Sequence, residues 1–109
     1  MSFSVRSVPA VEQTVVEVQG EVDIDTAPRM RRALVDAADR GVPVLVDLGA
    51  VTFMDSAGFG VLVAAQRDVA AAGTTMRLRG VSGRIRQLLA LLGLDAVFTV
   101  DPEEPIEVA

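Results

Sequence analysis

The stretch VLVDLGAVTFMDSAGFGVL, residues 44–62, predicts a buried strand that leads through a short loop into a helix. Residues 44–48 are apolar and rich in valine apart from Asp47, an unusual acid in such a strand, and they do not alternate, which is typical of a strand that is covered on both faces. An apolar helix begins near Ala57. Asp55 and Ser56 stand between the two elements, and the role of this serine is the question that the sequence raises.

The segments on either side of this stretch alternate between strand and helix patterns. The order ββαβαβαβ predicts an initial hairpin followed by parallel strands joined through right-handed crossovers. We therefore expect one α/β domain spanning 1–109, with a mixed sheet of about five strands, helices packed against it and a short C-terminal turn or helix in the acidic tail. The predicted strands are 3–8, 14–20, 44–48, 75–80 and 96–100, and the predicted helices lie between Thr26 and Gly41, at 57–72 and at 82–93.

Composition removes several classes of function. Half of the 109 residues are hydrophobic, which indicates a folded chain, and there is no cysteine for disulfides or thiolate metal sites. A net charge of −5 argues against a nucleic-acid partner, which requires a basic footprint. The N-terminus lacks an apolar signal core, and no apolar run approaches the ~20 residues that cross a bilayer. We expect a cytoplasmic protein without membrane contact.

Two polar loops are expected to meet at one end of the sheet. GEVDIDTA, residues 20–27, and AVTFMDSAG, residues 50–58, each follow a parallel-type strand and lead into a helix. Because ligands of open α/β sheets gather at the carboxyl ends of the strands, Asp23 and Asp25 should approach Asp55 and Ser56.

Catalysis at Ser56 is disfavoured. The chain has no histidine or lysine to act as its base, and the GxSxG pattern of a nucleophile elbow is absent. Gly58 and Gly60 give GxG, but Val63 stands where a dinucleotide loop needs its third glycine. A Mg²⁺ site built from the carboxylates of the two loops matches no metal motif in its spacing. We expect no enzymatic activity and no cofactor.

Two interpretations of the dipeptide remain open. Asp55 or Ser56 can cap the helix that follows, since Asp and Ser are preferred N-caps. An exposed serine on a strand-to-helix turn can also accept a phosphate, which adds about −1.5 to −2 charges and changes the surface that a partner contacts. Capping alone leaves Gly58 and Gly60 unexplained, because each weakens a helix by about 1 kcal/mol relative to Ala.

The two loops together resemble the markers of STAS domains. VLVDLGAVTFMDSAGFGVL is similar to the family signature, in which a hydrophobic strand leads to Asp-Ser-x-Gly-φ-Gly, and GEVDIDTA is similar to the second marker, Gly-Glu-φ-Asp-x-x-Thr-Ala. The element order matches across the chain. Within the family, a free-standing domain of this length resembles the bacterial anti-sigma-factor antagonists.

That resemblance implies a binding switch. Its implied partners are an anti-sigma factor with Ser/Thr kinase activity and a Ser/Thr phosphatase, and the implied phosphoacceptor is Ser56. Ala57 stands where many members have a second hydroxyl, and Phe59 stands where an aliphatic residue is usual, so that Phe59 is either core or a partner contact. The implied partner-binding residues are Asp23, Asp25, Thr26, Asp55, Ala57, Gly58, Phe59 and Gly60.

Two alternatives within the family have no phosphorylation cycle. One is a STAS accessory subunit of a transport system, such as a lipid-transport ATPase complex. The other is a domain of a sulfate-transporter type protein, which the missing membrane segment disfavours. The expected oligomeric state is a monomer or a weak dimer.

Overall fold

The computed structural model describes residues 2–102, and within this range the element order ββαβαβαβ is confirmed. The predicted C-terminal turn falls on residues 103–109, outside the described range. The elements are β1 (Ser4–Ala10), β2 (Gln13–Val22), α1 (Ala27–Asp39), β3 (Val44–Met54), α2 (Ser56–Ala71), β4 (Met76–Arg79), α3 (Gly83–Leu91) and β5 (Thr99–Val100).

The five strands form one mixed sheet in the order β1-β2-β3-β4-β5. β1 pairs antiparallel with β2, and the later strands are all parallel. Because each crossover steps to the next strand in the same direction, right-handed connections place all three helices on one face. The core between sheet and helices contains Val16, Val46 and Leu78 from the strands, and Met30, Leu34, Leu62, Ile85 and Leu89 from the helices.

The other face of the sheet carries charged side chains. Arg6, Glu17, Asp47 and Arg79 occupy one row across neighbouring strands, and pairing within the row joins Arg6 to Glu17 and Arg79 to Asp47. Desolvation raises the pKa of Asp47, but the Gly49 N–H and the Arg79 guanidinium outweigh it, so that the pKa lies below its usual value. The unusual acid in an apolar strand is therefore satisfied.

β3 is longer than predicted, because the strand continues through residues 49–54, which the sequence placed in a loop. The pairing shifts twice: Glu17 pairs with Asp47 but Gln19 with Ala50, and Gly20 pairs with Val51 but Glu21 with Phe53. At each shift β3 advances by one residue more than β2, which is a β-bulge. The bulges interrupt the two-residue periodicity and so hide the strand from a pattern-based prediction.

Candidate functional site

The two polar loops lie side by side at the carboxyl ends of β2 and β3, as predicted. Val22 and Met54 are the last aligned pair of the two strands, and the Asp55 N–H donates to the Val22 carbonyl at 3.1 Å. Asp23 and Asp55 are thus the first residues after the aligned ends of β2 and β3. Strand pairing brings together segments that lie about thirty residues apart in the chain.

The loop before α1 is held by hydrogen bonds that centre on Asp23. Its Oδ1 accepts the N–H groups of Asp25 at 2.9 Å and of Thr26 at 3.0 Å. Thr26 Oγ1 accepts the Asp23 N–H at 2.9 Å and donates to the Glu21 carbonyl at 2.8 Å. The Thr26 N–H bond lowers the pKa of Asp23 more than desolvation raises it, and the Asp25 N–H lowers it further. Asp23 is therefore a structural anion that fixes the shape of this loop.

The N-cap residue of α1 makes no side-chain hydrogen bond to the helix. Thr26 occupies the N-cap position, but its side chain makes no capping hydrogen bond, because the hydroxyl is engaged within the loop. Asp25 is exposed and does not cap either. Pro28 lies in the first turn, where its missing N–H costs nothing.

At the start of α2 the structure shows which of the two candidate residues, Asp55 or Ser56, caps the helix. Asp55 is the N-cap, and its Oδ1 accepts the N–H groups of Ala57 at 2.9 Å and of Gly58 at 3.4 Å. Ser56 is the first helical residue; it is exposed, and its Oγ has no hydrogen-bond partner within residues 2–102. The cap is therefore the acid, and the serine hydroxyl remains accessible to solvent.

Three residues predicted to bind a partner differ sharply in exposure. Phe59 is 3% exposed and lies in the core, and Gly58 is buried as well. A Cβ on Gly58 would lie 2.5 Å from Met54 Cγ and 2.8 Å from Val22 Cγ1, so this glycine permits the close approach of helix and sheet. Gly60 is exposed with open space around it. We therefore correct the prediction and exclude Phe59 and Gly58 from the accessible surface.

The exposed side chains at this end of the sheet include two large apolar residues that the sequence analysis missed. Ile24, in the loop before α1, is 76% exposed, and Phe53, near the end of β3, is 45% exposed. The available signal for Ile24 was its position as an apolar residue directly between two acids, Asp23 and Asp25. Phe53 gave no signal, because its orientation depends on the bulge before it.

The charge around the site is negative. Segments 20–26 and 50–60 contain Glu21, Asp23, Asp25 and Asp55 but no basic residue. Within residues 2–102 no three acidic side chains converge closely enough to hold a metal ion. No helix in that part of the chain is long and apolar enough to cross a membrane.

A solved structure with low sequence identity to this chain has the same fold. The phosphorylated form of the Bacillus cell fate determinant SpoIIAA superposes with a TM-score of 0.68 at 22% identity, over 94% of this chain and 93% of that chain. The superposition establishes a shared fold, and at this low identity the comparison supports the fold alone.

More similar relatives establish the family. A family model described as "Mlab, STAS domain" matches residues 7–100. The anti-sigma-B factor antagonist of Bacillus subtilis is 33% identical over 85 residues, which are 78% of this chain and 78% of that protein. An anti-sigma factor antagonist from Mycobacterium paratuberculosis superposes with a TM-score of 0.84 at 27% identity, over 94% of this chain and 87% of that chain. The chain therefore belongs to the STAS domain family and groups there with the bacterial anti-sigma-factor antagonists.

Proposed function

We propose that this chain is an anti-sigma-factor antagonist whose binding is switched off by phosphorylation of Ser56. Unphosphorylated, it binds an anti-sigma factor that is also a Ser/Thr kinase, and the sigma factor is released. The kinase then phosphorylates Ser56, the complex dissociates, and a Ser/Thr phosphatase resets the cycle. The observation that carries the proposal is the exposed Ser56 hydroxyl beside the Asp55 cap, in a chain whose relatives have this function in their names.

The local structure is suited to modification without unfolding. The Ser56 hydroxyl has no hydrogen bond within residues 2–102 that phosphorylation would break, and the cap belongs to Asp55. A phosphate on Ser56 finds the Ala57 N–H already bound to Asp55 Oδ1 and lies next to that carboxylate. It is therefore expected to point into solvent rather than to bind the helix N-terminus, and the surface changes while the helix stays formed.

Release follows from charge and hydration at the contact. The phosphoryl group comes from ATP bound to the kinase, so Ser56 Oγ must approach that nucleotide in the complex. After transfer, about two negative charges on Ser56 face the remaining ADP phosphates and Asp55, and their strongly held water must be removed if the contact is to persist. Both effects raise the free energy of the complex. In support, SpoIIAA, which shares the fold, exists in a phosphorylated form.

The chain itself performs no catalysis in this proposal. It has no histidine and no lysine to deprotonate a serine, so the base and the nucleotide belong to the kinase. Ser56 is a substrate of that enzyme rather than a nucleophile of its own active site.

The test is phosphorylation by the cognate kinase with a matched control. The protein is incubated with its anti-sigma factor, ATP and Mg²⁺, and the phosphate is located by mass spectrometry. We expect one phosphate on Ser56, none on Ser56→Ala, and unchanged labelling of Thr52→Ala, since Thr52 also carries an exposed hydroxyl at the same end of β3. Phosphorylated protein should bind the anti-sigma factor at least tenfold more weakly than unphosphorylated protein.

Two outcomes would contradict the proposal. Labelling at another residue would remove Ser56 as the acceptor, and equal affinity of the two forms would remove the switch. Co-purification with a transport ATPase, with no measurable affinity for the anti-sigma factor, would instead identify an accessory subunit of a transport system.

A further inference from the structure

Two exposed apolar side chains lie at the end of the sheet where Ser56 begins α2. Ile24 follows the end of β2, and Phe53 is the residue before the end of β3. Val11, also strongly exposed, lies in the β1–β2 turn, where β2 begins. The ten residues of β2 separate this turn from Ile24, which is about 30 Å at ~3.3 Å per residue.

The exposure of Ile24 is imposed by a rigid loop. Asp23 Oδ1 and Thr26 Oγ1 together engage three loop N–H groups and the Glu21 carbonyl, and the Ala27 N–H donates to the Asp23 carbonyl at 2.7 Å. With its backbone fixed in this way, Ile24 is presented to solvent in a defined position. A preordered apolar side chain loses little conformational entropy on binding, which favours affinity.

The exposure of Phe53 is imposed by the second bulge of β3. Val51 is buried against the core, and strict alternation would turn Phe53 to the same side. The extra residue, Thr52, reverses this, and Phe53 is aligned with Glu21 away from the core. Bulges of this kind redirect a side chain near functional sites. An aromatic residue is thus diverted from the core to the surface at the end of the sheet that carries Ser56.

Acidic residues neighbour both apolar residues, either along the chain or across the paired strands. Glu21 is aligned with Phe53 across the strands, Asp23 and Asp25 flank Ile24, and Asp55 precedes Ser56. The two segments contain no basic residue to neutralise them. A partner that covers this surface must offer apolar contacts at the centre and positive charge around them.

We propose that Ile24 and Phe53 are the apolar anchors of the contact with the anti-sigma factor, which receives them on an apolar surface bordered by Arg or Lys side chains. This inference rests on the proposed function and adds to it the residues that supply the affinity. Ser56 lies in the same surface, so that its phosphate disturbs a contact whose binding energy comes from its neighbours. Interfaces commonly concentrate affinity in a few central apolar or aromatic side chains.

The test measures affinity for the purified anti-sigma factor by calorimetric titration with unphosphorylated protein. Ile24→Ser and Phe53→Thr are each expected to weaken binding at least tenfold; Thr keeps the β-branching that suits a strand. Val11→Ser and Leu91→Ser are matched controls, because both remove exposed apolar side chains, 90% and 81% exposed, away from the proposed contact. The controls should stay within twofold of wild type.

Charge is tested separately. Raising the salt concentration from 50 to 500 mM should weaken wild-type binding several-fold, since screening acts on exposed charges, and Asp25→Asn should reduce that dependence. If salt has no effect on the affinity, the proposal that Arg or Lys side chains of the anti-sigma factor border its apolar surface is wrong.

The outcomes separate this inference from the function on which it rests. If wild type binds the anti-sigma factor but Ile24→Ser and Phe53→Thr bind equally well, the anchors are wrong while the function stands. Equal losses in the Val11→Ser control would also overturn the assignment, because the effect would not be local. If wild type shows no binding, the proposed function itself fails. Thermal unfolding of each variant by circular dichroism checks that it is folded.

Discussion

The two glycines at the start of α2 should respond in opposite directions to the same substitution. Neither has a positive φ, so alanine fits the backbone at both positions. In a helix, glycine is about 0.5–1 kcal/mol less favourable than alanine, because it loses more backbone entropy on folding. Gly60→Ala adds a methyl group into open space and should therefore stabilise the protein by roughly that amount.

Gly58→Ala gains the same helix preference but must place its methyl group in an occupied space. The new Cβ would lie 2.5 Å from Met54 Cγ and 2.8 Å from Val22 Cγ1. Val22 is fully buried and β-branched, so it cannot rotate away, and relieving the overlap has to move α2 from the sheet. Overpacking of this kind costs about 1–3 kcal/mol, and the helix preference offsets about 0.5–1 kcal/mol of it, so the expected net loss is about 1 kcal/mol and at most about 2.5 kcal/mol.

Thermal unfolding followed by far-ultraviolet circular dichroism measures both effects, since the chain has no Trp or Tyr for fluorescence. For a domain of this size 1 kcal/mol corresponds to ~4–8 °C in Tm, so the two variants should differ by about 10 °C or more. A Gly58→Ala protein as stable as wild type would show that the helix and strand ends are not in close contact, and would refute the packing role of this glycine.

Three further predictions follow from the same contacts. Asp55→Ala should lower the free energy of unfolding by about 1 kcal/mol, because it removes the side-chain cap of α2. Ser56→Ala should change the free energy of unfolding by no more than ~0.5 kcal/mol. Both values are measured by urea denaturation, and equal losses would contradict the assignment of the cap to Asp55. Phe59→Ala should cost about 3–5 kcal/mol, since the ring is buried in the core, and a cost below ~1 kcal/mol would contradict that burial. The folded-state pKa of Asp47 lies below its ordinary value of 3.8, so between the two pKa values the unfolded chain binds more protons. The stability contributed by Asp47 is therefore present above pH ~4 and is lost as the pH falls through the lowered pKa. Asp47→Asn should show a shallower loss of stability in acid than wild type, and identical profiles would refute the ion pair with Arg79.

The sequence predicted the class and order of the elements because those depend on short-range patterns. The start of α2 follows from the Asp-Ser pair before it, since both residues are preferred N-caps, and the alternation of strands and helices implies parallel pairing. The meeting of the two loops was also predictable, since parallel strands end at the same edge of a sheet. The phosphoacceptor and its partners came from resemblance, and they remain proposals.

The sequence-based predictions that were wrong depend on contacts between residues far apart in the chain. The end of β3 was assigned to a loop because two bulges break its periodicity, and a bulge is defined by the partner strand as much as by the bulged one. Phe53 and Phe59 are the same residue type and lie six positions apart in the chain, yet Phe53 is exposed and Phe59 is buried.

From the amino-acid sequence alone it follows that this is an α/β chain, with a serine and an acid at a strand-to-helix junction and with no histidine or lysine to make that serine catalytic. Local preferences and the absence of residue types suffice for those conclusions. Tertiary structure decided that Asp55 caps the helix, that Gly58 is a packing residue and Gly60 a surface residue, and that Ile24 and Phe53 face solvent beside Ser56. These depend on the register between β2 and β3 and on the distance of α2 from the sheet, which are set by contacts between residues far apart in the chain.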